Sequence, residues 1–430
     1  MAKRFNITDA GFDRAFVAFV DAPRDGAEDV AAAVAAIIAG VREEGMAALI
    51  RYTKRFDRFD LTERNICVSE DECAAAEKAC DKAALDALDF AAARIRAYHE
   101  KQRPQNHRYT DDVGVALGWR WTPVEAAGLY APGGLAAYPS SVLMNAIPAA
   151  VAGVERLCLC APSPGGNINP LVLAAARRAG VREIFRVGGA QAIAAMAYGA
   201  GPIHPVDVIA GPGNLYVAEA KRQVFGRVGV DLIAGPSEIL VVADAANDPH
   251  WIAADLLSQA EHDPSSQAIL ITDDAGFANK VETAVDAQLA ISPRRAIAEE
   301  VWRKNSVIIV VGSLDEAPAL VDRLAPEHLE LAIAEPERLL AKVRHAGAIF
   351  LGRHTPEAVG DYVAGPDHVL PTARTARFAS GISVLTFMKR TSIVGCDEKA
   401  LAAIGPAAAT LADAEGLPSH AHSVRIRLKD

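Results

Sequence analysis

The chain has 430 residues, 51% hydrophobic and 23% charged, and its 44 basic and 54 acidic residues give a formal net charge of −10. At roughly 100–200 residues per domain, this length implies two to four domains, with ample apolar content for buried cores and none of the composition of a disordered tail. The acidic balance excludes the basic surface that nucleic-acid binding requires and a polybasic membrane-surface segment.

In chain order, Met1 to Asp21 carries Asp9, Asp13, Arg14 and Asp21 around a short apolar run, so no secretory signal is expected there. Asp29 to Gly45 places Val30, Val34, Ile37, Ile38 and Val41 at helical spacing and ends in glycine, the pattern of an amphipathic helix with a C-terminal stop. Ser69-Glu70-Asp71-Glu72 has the S-x-x-E form of a capping box, and helical composition continues to about Lys101, before Pro104. The first ~120 residues therefore read mostly as helix.

From Gly128 the pattern changes to short apolar strands alternating with Ala-rich helices. Strands are expected near Gly128, at Arg156 to Ala161, Glu183 to Val187 and Val206 to Ala210, with helices around Val142 to Val151, Pro170 to Gly180 and Gln191 to Tyr198. Such alternation implies βαβ units and a parallel sheet. A second series opens at Glu238 to Ala243 and continues through Ala268 to Thr272, Val307 to Val311, Leu329 to Ala334 and Ala348 to Leu351. The fold class is thus α/β, with two such domains, one interrupting the chain of the other, helical arms at both ends and no tandem repeat. The longest apolar stretches, such as Ser141 to Val154, are broken by Asn145, Pro148 and Gly153, short of the ~18 apolar residues of a membrane span. Six cysteines follow no C-x-x-C or zinc-finger spacing, so reduced thiols in a cytoplasm are the expectation.

Three Gly-rich turns follow predicted strands, at Gly133-Gly134, Gly188-Gly189 and Gly211-Pro212-Gly213-Asn214. Such turns bring backbone N–H groups close to a phosphate, and they also serve as plain strand-to-helix connections. The third has two glycines of G-x-G-x-x-G and then Tyr216, so no full dinucleotide fingerprint is present. Asp255 to Asp263 reads as a helix with Gln259 and His262 on one face. Imidazole is a common zinc ligand, although a solvated helix end also favours histidine. Glu327-His328 precedes a strand and offers two adjacent proton acceptors, or two surface residues. Asp361 and His368 lie in a Gly/Pro-rich loop dense in ionisable groups, and Glu415, His420 and His422 follow a long Ala-rich helix. Cys158 and Cys160 alternate on a buried strand and read as core.

Together these stretches resemble the histidinol dehydrogenase family, from about residue 30 to 428. The most specific are Gly128-Leu129-Tyr130-Ala131-Pro132-Gly133-Gly134, Tyr138-Pro139-Ser140-Ser141, Val187-Gly188-Gly189-Ala190-Gln191, Gly211-Pro212-Gly213-Asn214, Ala234-Gly235-Pro236-Ser237-Glu238, Gln259-Ala260-Glu261-His262-Asp263, Pro326-Glu327-His328-Leu329, Gly360-Asp361-Tyr362 and His368-Val369-Leu370-Pro371-Thr372. The resemblance implies oxidation of L-histidinol through histidinal to L-histidine with two NAD+, the last step of histidine synthesis, in a zinc-dependent homodimer. It implies two incomplete Rossmann-like domains: an arm at 1–25, a zinc and catalytic domain at 26–129 and 239–381, an NAD-binding domain at 130–238, and an arm at 382–430 that reaches the partner subunit of an intertwined dimer. Matched by motif, Gln259, His262, Asp361 and His420 are the ligands of one zinc per subunit, and Glu327 and His328 the proton acceptors. Ser237 and Glu415 join the four ligands and His328 as substrate contacts, and Tyr130, Gln191 and Asn214 are NAD contacts. Ala373-Arg374 stands where the family often has a glycine pair, and His422 is a second histidine beside His420.

The chemistry needs these residue types. Oxidising an alcohol to an acid takes two hydride transfers and one water addition. An imidazole can take the alcohol proton near neutral pH, a carboxylate can activate water, and redox-inert zinc leaves the hydride to NAD+. A related zinc- and NAD-dependent alcohol or diol dehydrogenase with another substrate remains open on these grounds. So does a zinc hydrolase, which would need neither the glycine turns nor NAD+.

Overall fold

The computed structural model describes residues 2–22, 30–133, 138–233 and 235–428. The expected boundary at residue 25, the helix start at Asp29, and motif positions Gly134 and Ala234 lie outside these residues.

One parallel sheet is built from β4 (Ala126–Tyr130), β5 (Arg156–Cys160), β6 (Glu183–Phe185), β7 (Val208–Ala210) and β8 (Gly229–Val230), in the order β6-β5-β4-β7-β8. Counted from β4, this is the 3-2-1-4-5 order of a Rossmann sheet without its sixth strand. The pleat sends Leu157 and Leu159 to one face and Cys158 and Cys160 to the other, as the two-residue period of a strand requires. The first face is covered by α4 (Glu70–Ala79), α5 (Lys82–Glu100), α6 (Pro139–Ala152) and α7 (Pro170–Ala179); the second by α2 (Val30–Glu44), α3 (Met46–Phe56), α8 (Gly189–Tyr198) and α9 (Leu215–Val224). The stripe Val30, Val34, Ile37, Ile38 and Val41 is buried in that second face. Ser69 and Glu72 form the capping box at the start of α4.

The second sheet has six parallel strands: β1 (Lys3–Asn6), β9 (Glu238–Ala243), β10 (Gln267–Thr272), β11 (Val307–Val310), β12 (His328–Ala332) and β13 (Ala348–Leu351), in the order β1-β11-β10-β9-β12-β13. Counted from β9, the last five repeat the 3-2-1-4-5 order, so the two halves share a topology that no sequence repeat announces. Strands β9, β10 and β12 are buried along their whole length, which is why they read as near-continuous apolar runs. Helices α10 (Pro249–Ala260), α11 (Ala275–Ile291) and α12 (Arg295–Lys304) cover one face, and α1 (Phe12–Val20) and α13 (Ala317–Leu324) the other. Two short helices, α14 (Pro336–Leu340) and α15 (Glu357–Tyr362), flank β13. An antiparallel sheet of β2 (His107–Thr110), β3 (Ala116–Pro123) and β14 (Met388–Gly395) carries the C-terminal arm, α16 (Glu398–Ala414) and α17 (Pro418–Arg425).

Three features differ from the sequence reading. The division at residue 129/130 runs through β4, and residues 30–95 pack in the two cores of the first sheet, because their apolar faces cover it rather than the second. The first residues do not form a free arm: β1 pairs with β11, and Phe12, Phe16 and Phe19 belong to the core beside it. The mostly helical start also contains β1, β2 and β3, which are short or half exposed and so lack a clear two-residue hydrophobic alternation.

Phe16 is fully buried and stacks on Phe12 with ring centroids 5.5 Å apart. Phe16→Ala should destabilise the second unit by ~3–5 kcal/mol, the usual cost of removing a buried aromatic ring. A lowered urea midpoint checks this; an unchanged one would mean that residues 2–22 hang free.

Candidate active site

The carboxyl ends of the first sheet carry the glycine turns, and the amino ends of the second carry the ionisable groups. At the first, Tyr130 closes β4, buried, and its hydroxyl accepts a hydrogen bond from Gly189 N–H at 3.0 Å. Burial pushes the Tyr130 phenol well up, so it stays protonated. Gln191 follows in the first turn of α8, 1% exposed, with its Oε1 buried and unpartnered. Asn214 caps α9, its Oδ1 accepting from Tyr216 and Val217 N–H at 3.1 and 3.2 Å. Gly211 before it has φ +124°, and a Cβ there would lie 2.2 Å from the Tyr130 carbonyl oxygen. Only glycine lets these two strand ends approach so closely. The expected nucleotide contacts are thus gathered where an open α/β sheet binds ligands.

At the second sheet, His328 is the first residue of β12 and Glu238 the first of β9, neighbours in the ladder. Glu238 N–H donates to Glu327 Oε2 at 2.9 Å, and Glu327 N–H donates back to Glu238 Oε2 at 3.3 Å. His328 Nδ1–H donates to the Glu238 carbonyl at 2.9 Å, since a carbonyl can only accept. That leaves Nε2 facing Asp361 Oδ1 at 3.6 Å and Glu357 Oε1 at 3.8 Å, buried and without a hydrogen bond. Burial pulls the imidazole pKa down, but the Glu327 and Asp361 carboxylates outweigh it and raise it to about 10. Burial raises the Glu327 carboxyl to about 8 despite the imidazole beside it.

Gln259 ends α10 and its amide donates to His262 Nδ1 at 3.1 Å, leaving Gln259 Oε1 buried and unpartnered. His262 lies beyond the helix, in the turn that the sequence reading had extended as helix to Asp263. The charges of Asp361 and His328 both act on its ring. Ser237, half-buried, immediately precedes Glu238. The structure therefore brings Gln259, His262, Asp361, Glu327 and His328 into one cluster. Glu415 and His420 are exposed on the C-terminal arm, and among the described residues no hydrogen bond or ion pair joins either side chain to Gln259, His262, Asp361, Glu327 or His328.

Several residues here escaped the sequence reading. Glu357, at the start of α15, has a ligand atom within 4.8 Å of those of His328 and Asp361, a group that could hold a metal ion. Burial and the Asp361 charge push its carboxyl up to about 8. Glu330 accepts the Glu357 N–H at 2.6 Å, and Ser258 donates to Glu357 Oε2 at 3.1 Å. His368 was visible only as part of a motif. Its Nδ1–H donates to the Asp361 carbonyl and its Nε2 accepts from Ser141 Oγ, both at 3.0 Å, so α15, which bears Asp361, and the segment after it are tied to α6 of the other unit. A glutamate at a helix start carries no local signal of burial, and nothing in spacing pairs residue 141 with residue 368.

Three buried acceptor atoms without partners, Gln259 Oε1, His328 Nε2 and Glu357 Oε1, lie in this acid-rich cluster. Unpaired buried acceptors are costly, and N and O donors of this kind suit a zinc ion. Around Gln259 Oε1, the His262 imidazole and the Asp361 carboxylate add nitrogen and oxygen atoms of the kind a metal ion takes, and His328, Glu357 and Asp361 also lie close enough together to hold one.

Comparison with known proteins agrees. The family model described as histidinol dehydrogenase matches residues 21–428. A histidinol dehydrogenase of Rhodospirillum rubrum is 61% identical over 429 residues, covering 100% of this chain and 99% of that one. One of Mesorhizobium japonicum is 60% identical over 428 residues, 100% of both. The crystal structure of histidinol dehydrogenase from Elizabethkingia anophelis superposes with a TM-score of 0.94 at 38% identity, over 99% of this chain and 98% of that one. With matched residues from one end of the chain to the other and a shared fold, this chain belongs to the histidinol dehydrogenase family.

Proposed function

We propose that the chain oxidises L-histidinol through histidinal to L-histidine with two NAD+, and that the buried Glu327–His328 pair carries out the proton transfers. The observation that carries the residue roles is the fixed His328 ring. Its Nδ1–H is committed to the Glu238 carbonyl, so Nε2 is the atom free to take a proton.

In the first step the substrate hydroxyl loses its proton to His328 Nε2 as the C–H hydride leaves for the cofactor. NAD+, when bound against Tyr130, Gln191 and Asn214, supplies the hydride acceptor. Glu327 then takes a proton from the water that adds to the aldehyde while His328 returns its own proton to the aldehyde oxygen, so the neutral His328 can take the hydrate's hydroxyl proton as the hydride leaves and the acid forms. Burial makes Glu327 basic enough for that task near neutral pH. Gln259, His262, Asp361 and His420 would hold zinc, with Ser237 and Glu415 on the substrate; the ion would supply a fixed positive charge that orients the substrate. His368 and Ser141 keep α15, which bears Asp361, in register with α6.

The separation of His420 and Glu415 from the cluster supports a site completed by a second subunit. Their arm exposes Leu411 (64%), Leu417 (43%) and Ile426 (62%), an apolar surface suited to a two-fold partner. The free cysteines support the expected cytoplasmic location.

NADH absorbance with histidinol, before and after chelation, tests the activity and its metal; activity undiminished by thorough chelation would exclude zinc. His328→Asn should slow histidinol oxidation, and Glu327→Gln chiefly histidinal oxidation, each by ~10²–10⁴-fold, as for loss of a general base. Equal losses with both substrates would remove the division of roles. kcat/KM should rise between pH 6 and 9, because His328 must be neutral to act. Glu327→Gln removes a carboxylate that favours the imidazolium, so the acidic limb should move to lower pH. A limb that stays put would show the two groups to be uncoupled.

Shared sites predict complementation. His262→Asn and His420→Asn chains, unfolded and refolded together, should give heterodimers with one intact site. A statistical mixture should then recover roughly a quarter of wild-type activity, since half its dimers are mixed and each has one of two sites. Inactive heterodimers, counted by mass spectrometry, would mean that His420 acts within its own chain or that His422 is the ligand.

A further inference from the structure

Beneath the Gly211–Asn214 turn lies a buried ion pair. Lys221, on α9, and Asp231, just after β8, have side chains only 3% and 0% exposed and are in direct contact. Both also bind one residue. Asp231 Oδ2 accepts the Gly211 N–H at 2.8 Å, and Lys221 Nζ donates to the Gly211 carbonyl at 2.9 Å. Asp231 is itself fixed by its N–H, which donates to the Ile209 carbonyl of β7 at 3.1 Å.

A buried ion pair is a poor source of stability, because apolar residues of similar volume often do as well or better. This pair does something an apolar pair could not. It grips both polar groups of the residue whose left-handed backbone brings β7's end against the Tyr130 carbonyl. We infer that Lys221 and Asp231 are positioning residues for the cofactor: by fixing Gly211 on both sides they hold the turn, and with it Asn214, at the spacing from Tyr130 that the dinucleotide requires. They touch neither substrate nor reacting atoms. Asp367, from the loop of the other unit, comes near enough to feel the charge of Asp231, which adds to burial in pushing its carboxyl well above the usual range, against the Val369 N–H that it accepts.

This inference rests on the reading that the Gly211–Asn214 turn holds NAD+, so its test includes a variant of the turn. Removing Lys221 alone would leave a buried unpaired carboxylate and could cost the fold. The primary variant is therefore the volume-matched double substitution Lys221→Met with Asp231→Leu, with Asn214→Ala alongside, all in the full-length metal-loaded enzyme. The double variant should keep its thermal midpoint, its KM for histidinol and its kcat at saturating NAD+. Its KM and its Kd for NAD+, the latter from fluorescence titration, should rise about tenfold or more, the scale of losing charge-assisted hydrogen bonds. If Asn214→Ala weakens NAD+ binding and the double variant does not, the pair is only structural and the inference falls while the site reading stands. If neither weakens it, the turn is not the cofactor site and both fall. A double variant that loses kcat and both KM values together, with a lowered midpoint, also overturns a positioning role. Should it fail to fold, Lys221→Gln with Asp231→Asn, which leaves no buried charge and keeps a donor for the Gly211 carbonyl and an acceptor for its N–H, decides the matter: a KM for NAD+ near that of the wild type supports the positioning role, and a rise as large as that of Asn214→Ala overturns it.

Discussion

Carboxylates held out of water around a single imidazole govern much of this molecule. Glu238, Glu327, Glu330 and Glu357 are each 6% exposed or less, and all sit on or beside β9, β12 and α15. Bare negative charge at such density is prohibitive in a low-dielectric interior. The structure meets the problem by sharing: backbone N–H groups of Glu238, Glu327, Glu357 and Ala373 are aimed at carboxylate oxygens, while burial pushes the Glu327 and Glu357 carboxyls up and the carboxylates push the His328 imidazole up. The same concentration of charge makes the imidazole a strong proton acceptor and makes the cluster receptive to a cation. Stability and chemistry are here two results of one electrostatic situation.

Two sheets of like topology divide the labour by using opposite ends. The first carries its glycine turns at its carboxyl ends, where Gly211 lies against the Tyr130 carbonyl. The second presents its amino ends, where Glu238 and His328 open adjacent strands. The usual rule for open α/β sheets describes the first and not the second. The second site can form at an amino end because α10 runs back along the sheet and delivers Gln259 and His262 there. Residues 361–373 then join the two units through His368 and Ser141.

Much of this was legible in the sequence, and for identifiable reasons. The α2 stripe, the Ser69 capping box and the buried runs of β9 and β10 are local patterns set by short-range geometry, and they recur as read. Gln259, His262, Glu327, His328 and Asp361 stood out through motif resemblance, and the fold gathers them. What stayed hidden depends on distant pairing. β1 is a four-residue edge strand whose partner lies some three hundred residues away; Glu357 becomes part of the site only because α15 folds over β12. Ala373 and Arg374 were noted as departures from a glycine pair. Both adopt left-handed backbone, φ 50° and 66°, a conformation costing L-residues roughly 1–2 kcal/mol each. They are held there by Ala373 N–H on Glu238 and by an ion pair from Arg374 to Asp21.

The pairing of β1 with β11 also sets an order of events during synthesis. Lys3–Asn6 are made about three hundred residues before the strand they join, Val307–Val310. At ~5–20 residues per second, that is a wait of roughly 15–60 s. Meanwhile the first unit, complete by residue 230 except for contacts from the later loop, can close around its own cores. Through that interval the N-terminal segment carries an unpaired strand and the apolar rings of Phe12, Phe16 and Phe19, the kind of surface that chaperones bind. One edge of the second sheet thus stays open until chain some three hundred residues further on has been made.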